Sequence, residues 1–188
     1  MSSINLSHDD QQVCLQVARQ SIQYGLEKGR ALPIISSDYS QNLQQLAASF
    51  VTLRKQGQLR GCIGALEAYQ PLVNDIAEHA FSAAFQDPRF PGLEKNEYDE
   101  LEIDISVLGK PEPMSFESEE DLLQQIRANI DGLILEFENN RGTFLPAVWE
   151  QLPDKKEFLN QLKVKAGLPQ YWWDNRVKIS RYETFSFD

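Results

Sequence analysis

Apolar and polar positions along the chain follow two periods, one helical and one alternating. From Asp9 to about Leu26, Cys14, Leu15, Ala18, Ile22 and Leu26 recur at helical spacing, and Gly29 and Pro33 follow as stop signals. This predicts a first helix with Cys14 turned toward a core. Phe50 to Arg54 and Leu59 to Leu66 flank Lys55-Gln56-Gly57-Gln58, whose glycine suits a tight turn, so a β-hairpin is expected there. Pro71 opens a second helix, and Leu72, Val73, Ile76, Ala77, Ala80, Ala83 and Ala84 give it a wide apolar stripe that stops before Asp87-Pro88. In LEIDISVL, Leu101, Ile103, Ile105 and Val107 alternate with Glu102, Asp104 and Ser106, the pattern of a strand with one wet face.

Gly109 to Pro113, with one glycine and two prolines in five residues, reads as a connector between subdomains. Beyond it, Ser118 and Asp121 form a capping pair ahead of Leu122, Leu123, Ile126 and Ile130, and Asp131-Gly132 closes the helix they predict. A second hairpin is expected from Leu133 to Phe137 and Thr143 to Leu145 around a turn at Asn139 to Gly142. Pro146 starts a short helix carrying Trp149, a longer one runs from Asp154 to about Ala166, and Gly167 and Pro169 end it. Tyr171-Trp172-Trp173 then precedes Val177 to Phe187, which is rich in β-branched and aromatic residues and predicts one or two final strands. Short turns join the strands without a βαβ rhythm, so the expected class is α+β with antiparallel sheets.

Composition narrows the possible functions. The 188 residues carry 18 Lys and Arg against 28 Asp and Glu, a formal charge of −10, which disfavours a general nucleic-acid role because phosphate binding needs a concentrated positive face. Hydrophobic residues at 41% are enough for a real core, and no run approaches the length of a membrane span, so a soluble, cytoplasmic protein with no membrane partner is expected. Cys14 and Cys62, with no CxxC pairing, read as reduced thiols. Two histidines without ligand spacing predict no metal, and the absence of GxGxxG, GxxxxGK[ST] and GxSxG gives no anchor for a cofactor or for a hydrolase elbow.

The sharpest local feature is Leu59-Arg60-Gly61-Cys62-Ile63-Gly64, because two glycines within a strand mark a bulge or a close backbone approach. In a regular strand Arg60 and Cys62 would share a face about 7 Å apart, and a guanidinium near a thiol favours the nucleophilic thiolate. Cys62 and Arg60 are therefore catalytic candidates, and the commoner alternative is a small buried filler beside a sheet-edge charge. His79, with Asp75 one turn before it, is the candidate base; a helix histidine paired to a carboxylate is the ordinary role. Glu102 and Asp104 share a strand face as possible paired carboxylates, Arg54, Lys55 and Arg60 cluster at the first hairpin, and Arg89 follows Pro88 in a helix stop.

LRGCIG at 59–64, DPRF at 87–90, LEIDISVL at 101–108, DGLIL at 131–135, RGTFLPAVWE at 141–150 and FLNQLKVKAGL at 158–168 resemble, in this order, the AMMECR domain family, also called AmmeMemoRadiSam system protein A. LRGCIG is that family's hallmark hexapeptide. One departure is Lys163, where many microbial members carry a cysteine. The resemblance implies a single domain of two subdomains: a larger one from residues 1–110 and 171–188 with a five-stranded antiparallel sheet, and a smaller inserted one at 111–170 with a three-stranded sheet. It also implies that the hexapeptide looks into a cleft between them, and that Memo-type and radical SAM proteins are possible partners. Two functions follow. One is a cleft enzyme or small-molecule handler, with Cys62 as its thiol and Arg60 holding an anionic part of the substrate. The other is a non-catalytic accessory or adaptor that receives a partner protein or peptide.

Overall fold

The first helix forms where the helical period places it: α1 spans His8–Lys28 in a computed structural model of the chain, which describes residues 5–188. Ser7 and Asp10 cap its start reciprocally, and Gly29, at φ 69°, ends it in the left-handed region that a glycine adopts without strain. After a short α2 (Gln41–Gln44) come β1 (Ser49–Lys55), β2 (Gln58–Gly64), α3 (Leu72–Phe85) and β3 (Leu101–Leu108). Next are β4 (Glu112–Pro113), α4 (Glu119–Gln125), β5 (Gly132–Phe137), β6 (Asn140–Phe144), α5 (Lys155–Lys165), β7 (Lys178–Tyr182) and β8 (Thr184–Phe187). The class is α+β with antiparallel pairing, and no described helix is long and apolar enough to cross a membrane.

The chain divides into two compact units, one running through Leu108 and resuming at Phe185–Asp188, the other Gly109–Thr184. Among the described residues each sheet has four strands, in the orders β2-β1-β3-β8 and β4-β7-β5-β6, in place of the expected five and three. The reason lies at Glu183. The apolar run ending the chain changes sheets there: Ile179 to Tyr182 pair with β5, while Ser186 meets Ser106 of β3 through their hydroxyls at 2.7 Å. The return to the first unit thus comes at Phe185 and not at residue 171.

In the first unit, Val51 and Leu53 of β1 and Leu101, Ile103, Ile105 and Val107 of β3 are buried with Cys14, Val17, Ala18 and Ile22 of α1 and the apolar stripe of α3. Burying such side chains contributes about 1.5–3 kcal/mol each. Strand alternation then sends Phe50, Thr52 and Arg54 to the opposite face. The hairpin turn is Gln56-Gly57, both at positive φ, the two-residue geometry that matches strand twist.

The second unit builds its own core on Trp149 and Phe158, whose rings stack 3.7 Å apart at 6°. Trp172 and Trp173 pack on Phe137 and Phe116 at its margin. Lys163 is 1% exposed there, held by Glu119 and by Asn160 and lying over the Trp173 ring. Two expected boundaries shift in this unit. Helix α4 stops at Gln125, short of Asp131, because Asn129 takes φ 65° and the Asp131 carboxylate collects the Arg127 N–H and guanidinium. The second hairpin turns at Glu138-Asn139, because Gly142 must lie within β6: a Cβ there would sit 2.8 Å from the Ala166 nitrogen at the end of α5.

A comparable close approach fixes the first unit. A Cβ on Gly61 of β2 would lie 2.0 Å from the Ala83 carbonyl oxygen of α3, so only glycine lets helix and strand touch. Gly61→Ala is expected to destabilise the fold by about 3 kcal/mol, read as a lower urea midpoint. Gly92→Ala, where the nearest atom would be 3.9 Å away, should stay within about 0.5 kcal/mol.

Candidate thiol site on the first sheet

Strand β2 is an edge of its sheet, and its register with β1 slips at one residue. Leu53 pairs with Gly61 and Arg54 with Leu59, leaving Arg60 as an extra, unpaired residue. The glycine-marked bulge is real and it undoes the alternation that would put Arg60 beside Cys62. Arg60 is instead 9% exposed, and its Nε and Nη2 donate to Glu97 at 3.0 and 2.9 Å, a side-on bidentate pair. Its guanidinium pKa is raised, first by that hydrogen bonding. Lys55 reaches the same carboxylate at 3.6 Å and Glu100 at 3.7 Å, so the hairpin cations already have acidic partners.

Cys62 lies beyond the bulge, opposite Thr52. Its backbone turns outward from the sheet: the N–H donates to Asp87 Oδ2 at 2.9 Å and the carbonyl accepts from Arg89 Nη2 at 3.4 Å. Cys62 and Thr52 are therefore a non-hydrogen-bonded pair, the arrangement that brings facing side chains closest. The Thr52 hydroxyl donates to Cys62 Sγ at 3.2 Å. Asp104 faces Thr52 from the other side, on β3. Burial pushes its carboxyl pKa up, with the Asp188 charge adding to the rise and Arg54 and Ser106 opposing it. Glu102 pairs with Arg54 one step along and is exposed, so the two strand carboxylates have different surroundings.

The DPRF turn organises this edge. Asp87 is 4% exposed and accepts the Arg89 N–H at 3.0 Å, Arg89 Nε at 3.0 Å, Arg89 Nη2 at 2.7 Å and the Cys62 N–H. Hydrogen bonding from the Arg89 side chain, which outweighs burial, holds its carboxyl far below the usual carboxylate range. The Arg89 pKa is raised, first by hydrogen bonding to Asp87, and the same guanidinium reaches the Cys62 backbone, which places this cation beside the cysteine.

His79 stands apart from this group. Its Nδ1 is 3.1 Å from Asp75 Oδ2, and the same oxygen accepts the Ser49 N–H at 2.8 Å and the Ser49 hydroxyl at 2.6 Å. The pair joins α3 to the start of β1. Among the described residues no hydrogen bond or ion pair links Cys62 to Arg60 or His79. Leu59, Gly61, Ile63 and Gly64 serve the strand itself: Gly61 meets α3, and Gly64 lies against Phe50 and the Ser49 carbonyl. The sequence places Arg89 in a helix stop and carries no cue for Thr52 or Glu97. The Asp-Pro-Arg spacing signals a local side-chain turn, whereas Glu97 lies 37 residues from Arg60 with no local cue. The described residues include no group of three or more His, Cys, Asp or Glu placed to hold a metal ion.

The Arg60–Glu97 pair makes stability acid-sensitive. Glu97 is pulled from an ordinary 4.5 to about 2, first by hydrogen bonding to Arg60, so the contribution is full above the ordinary value and is lost as pH falls toward 2. The urea midpoint should fall between pH 5 and about 2, and Glu97→Gln, already lacking the charge, should flatten that fall; an unchanged slope would show the pair to be energetically idle.

The AMMECR1 family model matches residues 15–187. A protein of Methanothermobacter thermautotrophicus is 38% identical over 184 residues, covering 97% of this chain and 95% of its own. One of Thermofilum pendens is 34% identical over 194 residues, covering 97% and 91%. The crystal structure of an uncharacterized protein from Pyrococcus horikoshii superposes with a TM-score of 0.81 at 32% identity, covering 93% of this chain and 88% of that one. With the family model matched over residues 15–187 and a relative 38% identical over 97% of the chain, this chain belongs to the AMMECR1 family.

Proposed function

We propose that the first unit handles a small molecule at Cys62, with the thiol as its reactive group, Thr52 as hydrogen-bond donor to the sulfur and Arg89 as the neighbouring cation. The observation that carries this reading is the contrast between the two cysteines. Cys14 is fully buried and its thiol is pushed up to about 12 by burial and then by the Asp10 charge. Cys62 is only half-buried, and the Thr52 hydroxyl donates a hydrogen bond to its sulfur. Arg60, fixed by Glu97, acts in this proposal as a positioned neighbour of the site. Among the described residues His79 is paired with Asp75 and makes no hydrogen bond to Cys62. By family resemblance, the molecule handled would belong to chemistry shared with Memo-type and radical SAM proteins.

Alkylation with iodoacetamide near neutral pH tests the reading. Cys62 should react about tenfold or more faster than Cys14 and faster than the same cysteine in the urea-unfolded chain. Thr52→Val should slow it several-fold without changing the fold. A Cys62 no more reactive than in the unfolded chain, and indifferent to Thr52→Val, would reject the thiol reading and leave the adaptor function in its place.

A further inference from the structure

Arg60 and Arg89 come from two motifs 29 residues apart and converge on one ring. Their Cζ atoms lie 6.0 and 5.5 Å from the Phe90 centroid. Each guanidinium has its Nε–Nη2 edge filled by its own carboxylate, Glu97 or Asp87. Each leaves Nη1 over. Arg60 Nη1 is buried with no hydrogen-bond partner, in a residue more than nine-tenths buried. Arg89 Nη1 donates no hydrogen bond among the described residues, and that side chain is 55% exposed. A buried charged donor left unfilled is costly, because its hydration is lost with nothing in return.

Resting on the reading of Cys62 as the reactive thiol, we propose that the Nη1 groups of Arg60 and Arg89, both beside the Phe90 ring, bind a carboxylate on the small molecule that Cys62 meets. Arg89 is the solvent-facing donor, anchored at the Cys62 carbonyl, and Arg60 is the buried donor beside the Phe90 ring. The charge count selects the ligand. Glu94, Glu97, Glu100 and Asp87 already oppose Arg60, Arg89 and Lys55, so the surroundings carry no excess positive charge. A phosphate dianion would find no excess positive charge, whereas a singly charged carboxylate needs only the two vacant donors.

Two alkylating reagents that differ only in charge test this. In both, the Cys62 thiolate forms an S–C bond as the C–I bond breaks and iodide leaves, with the thiol proton already given to solvent. The ratio of the iodoacetate to the iodoacetamide rate therefore cancels the thiolate fraction and reports carboxylate recognition. In the folded protein the ratio should exceed that of the urea-unfolded chain by about fivefold, the effect of one partly screened charge contact. Arg89→Met should return it to the unfolded value. Arg60→Lys, which keeps a cation for Glu97 but removes Nη1, should lower it about twofold. Propionate should protect Cys62 from iodoacetamide while inorganic phosphate at equal ionic strength does not.

A folded ratio equal to the unfolded one, or one untouched by either variant, overturns the carboxylate site even where Cys62 reacts rapidly with iodoacetamide and the thiol reading stands. If Cys62 is inert to both reagents, the thiol reading fails by itself. The carboxylate site is then decided by propionate-induced shifts of the Arg60 and Arg89 Nε–H resonances, whose absence rejects it.

Discussion

The Asp87 carboxylate is the constraint on which the candidate site depends. An edge strand leaves a row of backbone donors and acceptors without partners, and at Cys62 the DPRF turn supplies both of the missing ones. Asp87 stands in for a neighbouring strand's carbonyl and Arg89 for its N–H. The substitution works only because Arg89 also neutralises Asp87, so that a nearly buried carboxylate is fully hydrogen-bonded. Reaching β2 at all requires the end of α3 to come close, which Gly61 permits by presenting no Cβ to Ala83. After the turn, the Leu93 N–H returns to the Ala84 carbonyl at 2.9 Å and closes the loop onto the same helix end. LRGCIG and DPRF are thus two halves of one joint. The glycine brings helix and strand together, and the aspartate locks them.

That joint explains what was legible in the sequence. The alternation in LEIDISVL and the stripe of α3 depend on neighbours a few residues away, and both elements lie where their periods put them. The glycines of LRGCIG announced a bulge or a close approach, and both occur within two residues. Which residue the bulge would displace was not local information. Arg60 leaves the Cys62 face because Glu97, far along the chain, captures its guanidinium. The switch of sheets at Glu183 is equally silent, since Ile179 and Phe187 belong to one apolar run and only tertiary pairing assigns them to different cores.

Charge placement follows one rule across both units. Arg60 with Glu97, Arg89 with Asp87 and Arg127 with Asp131 each use the planar fork of arginine against a carboxylate, and in each case at least one partner is mostly buried. An excess of ten negative charges leaves ample carboxylates for this purpose. Cations committed in this way do not create a broad positive field, so the proposed carboxylate site relies on single oriented N–H groups. Such groups discriminate by geometry, because a donor held on a ring face rewards an acceptor only along a narrow direction.

The two other groups that sequence chemistry singled out, Cys14 and His79, show how burial settles a role that residue type leaves open. Cys14 occupies the apolar stripe of α1 and behaves as a small hydrophobe, with its ionisation suppressed. His79 shares the Asp75 carboxylate with Ser49, so its ring is committed to holding α3 against the first strand. Cys62 differs from both because its backbone is fixed from outside the sheet while its sulfur faces a hydroxyl. The side chain is held in place with its chemistry still available, the combination that a reactive thiol requires.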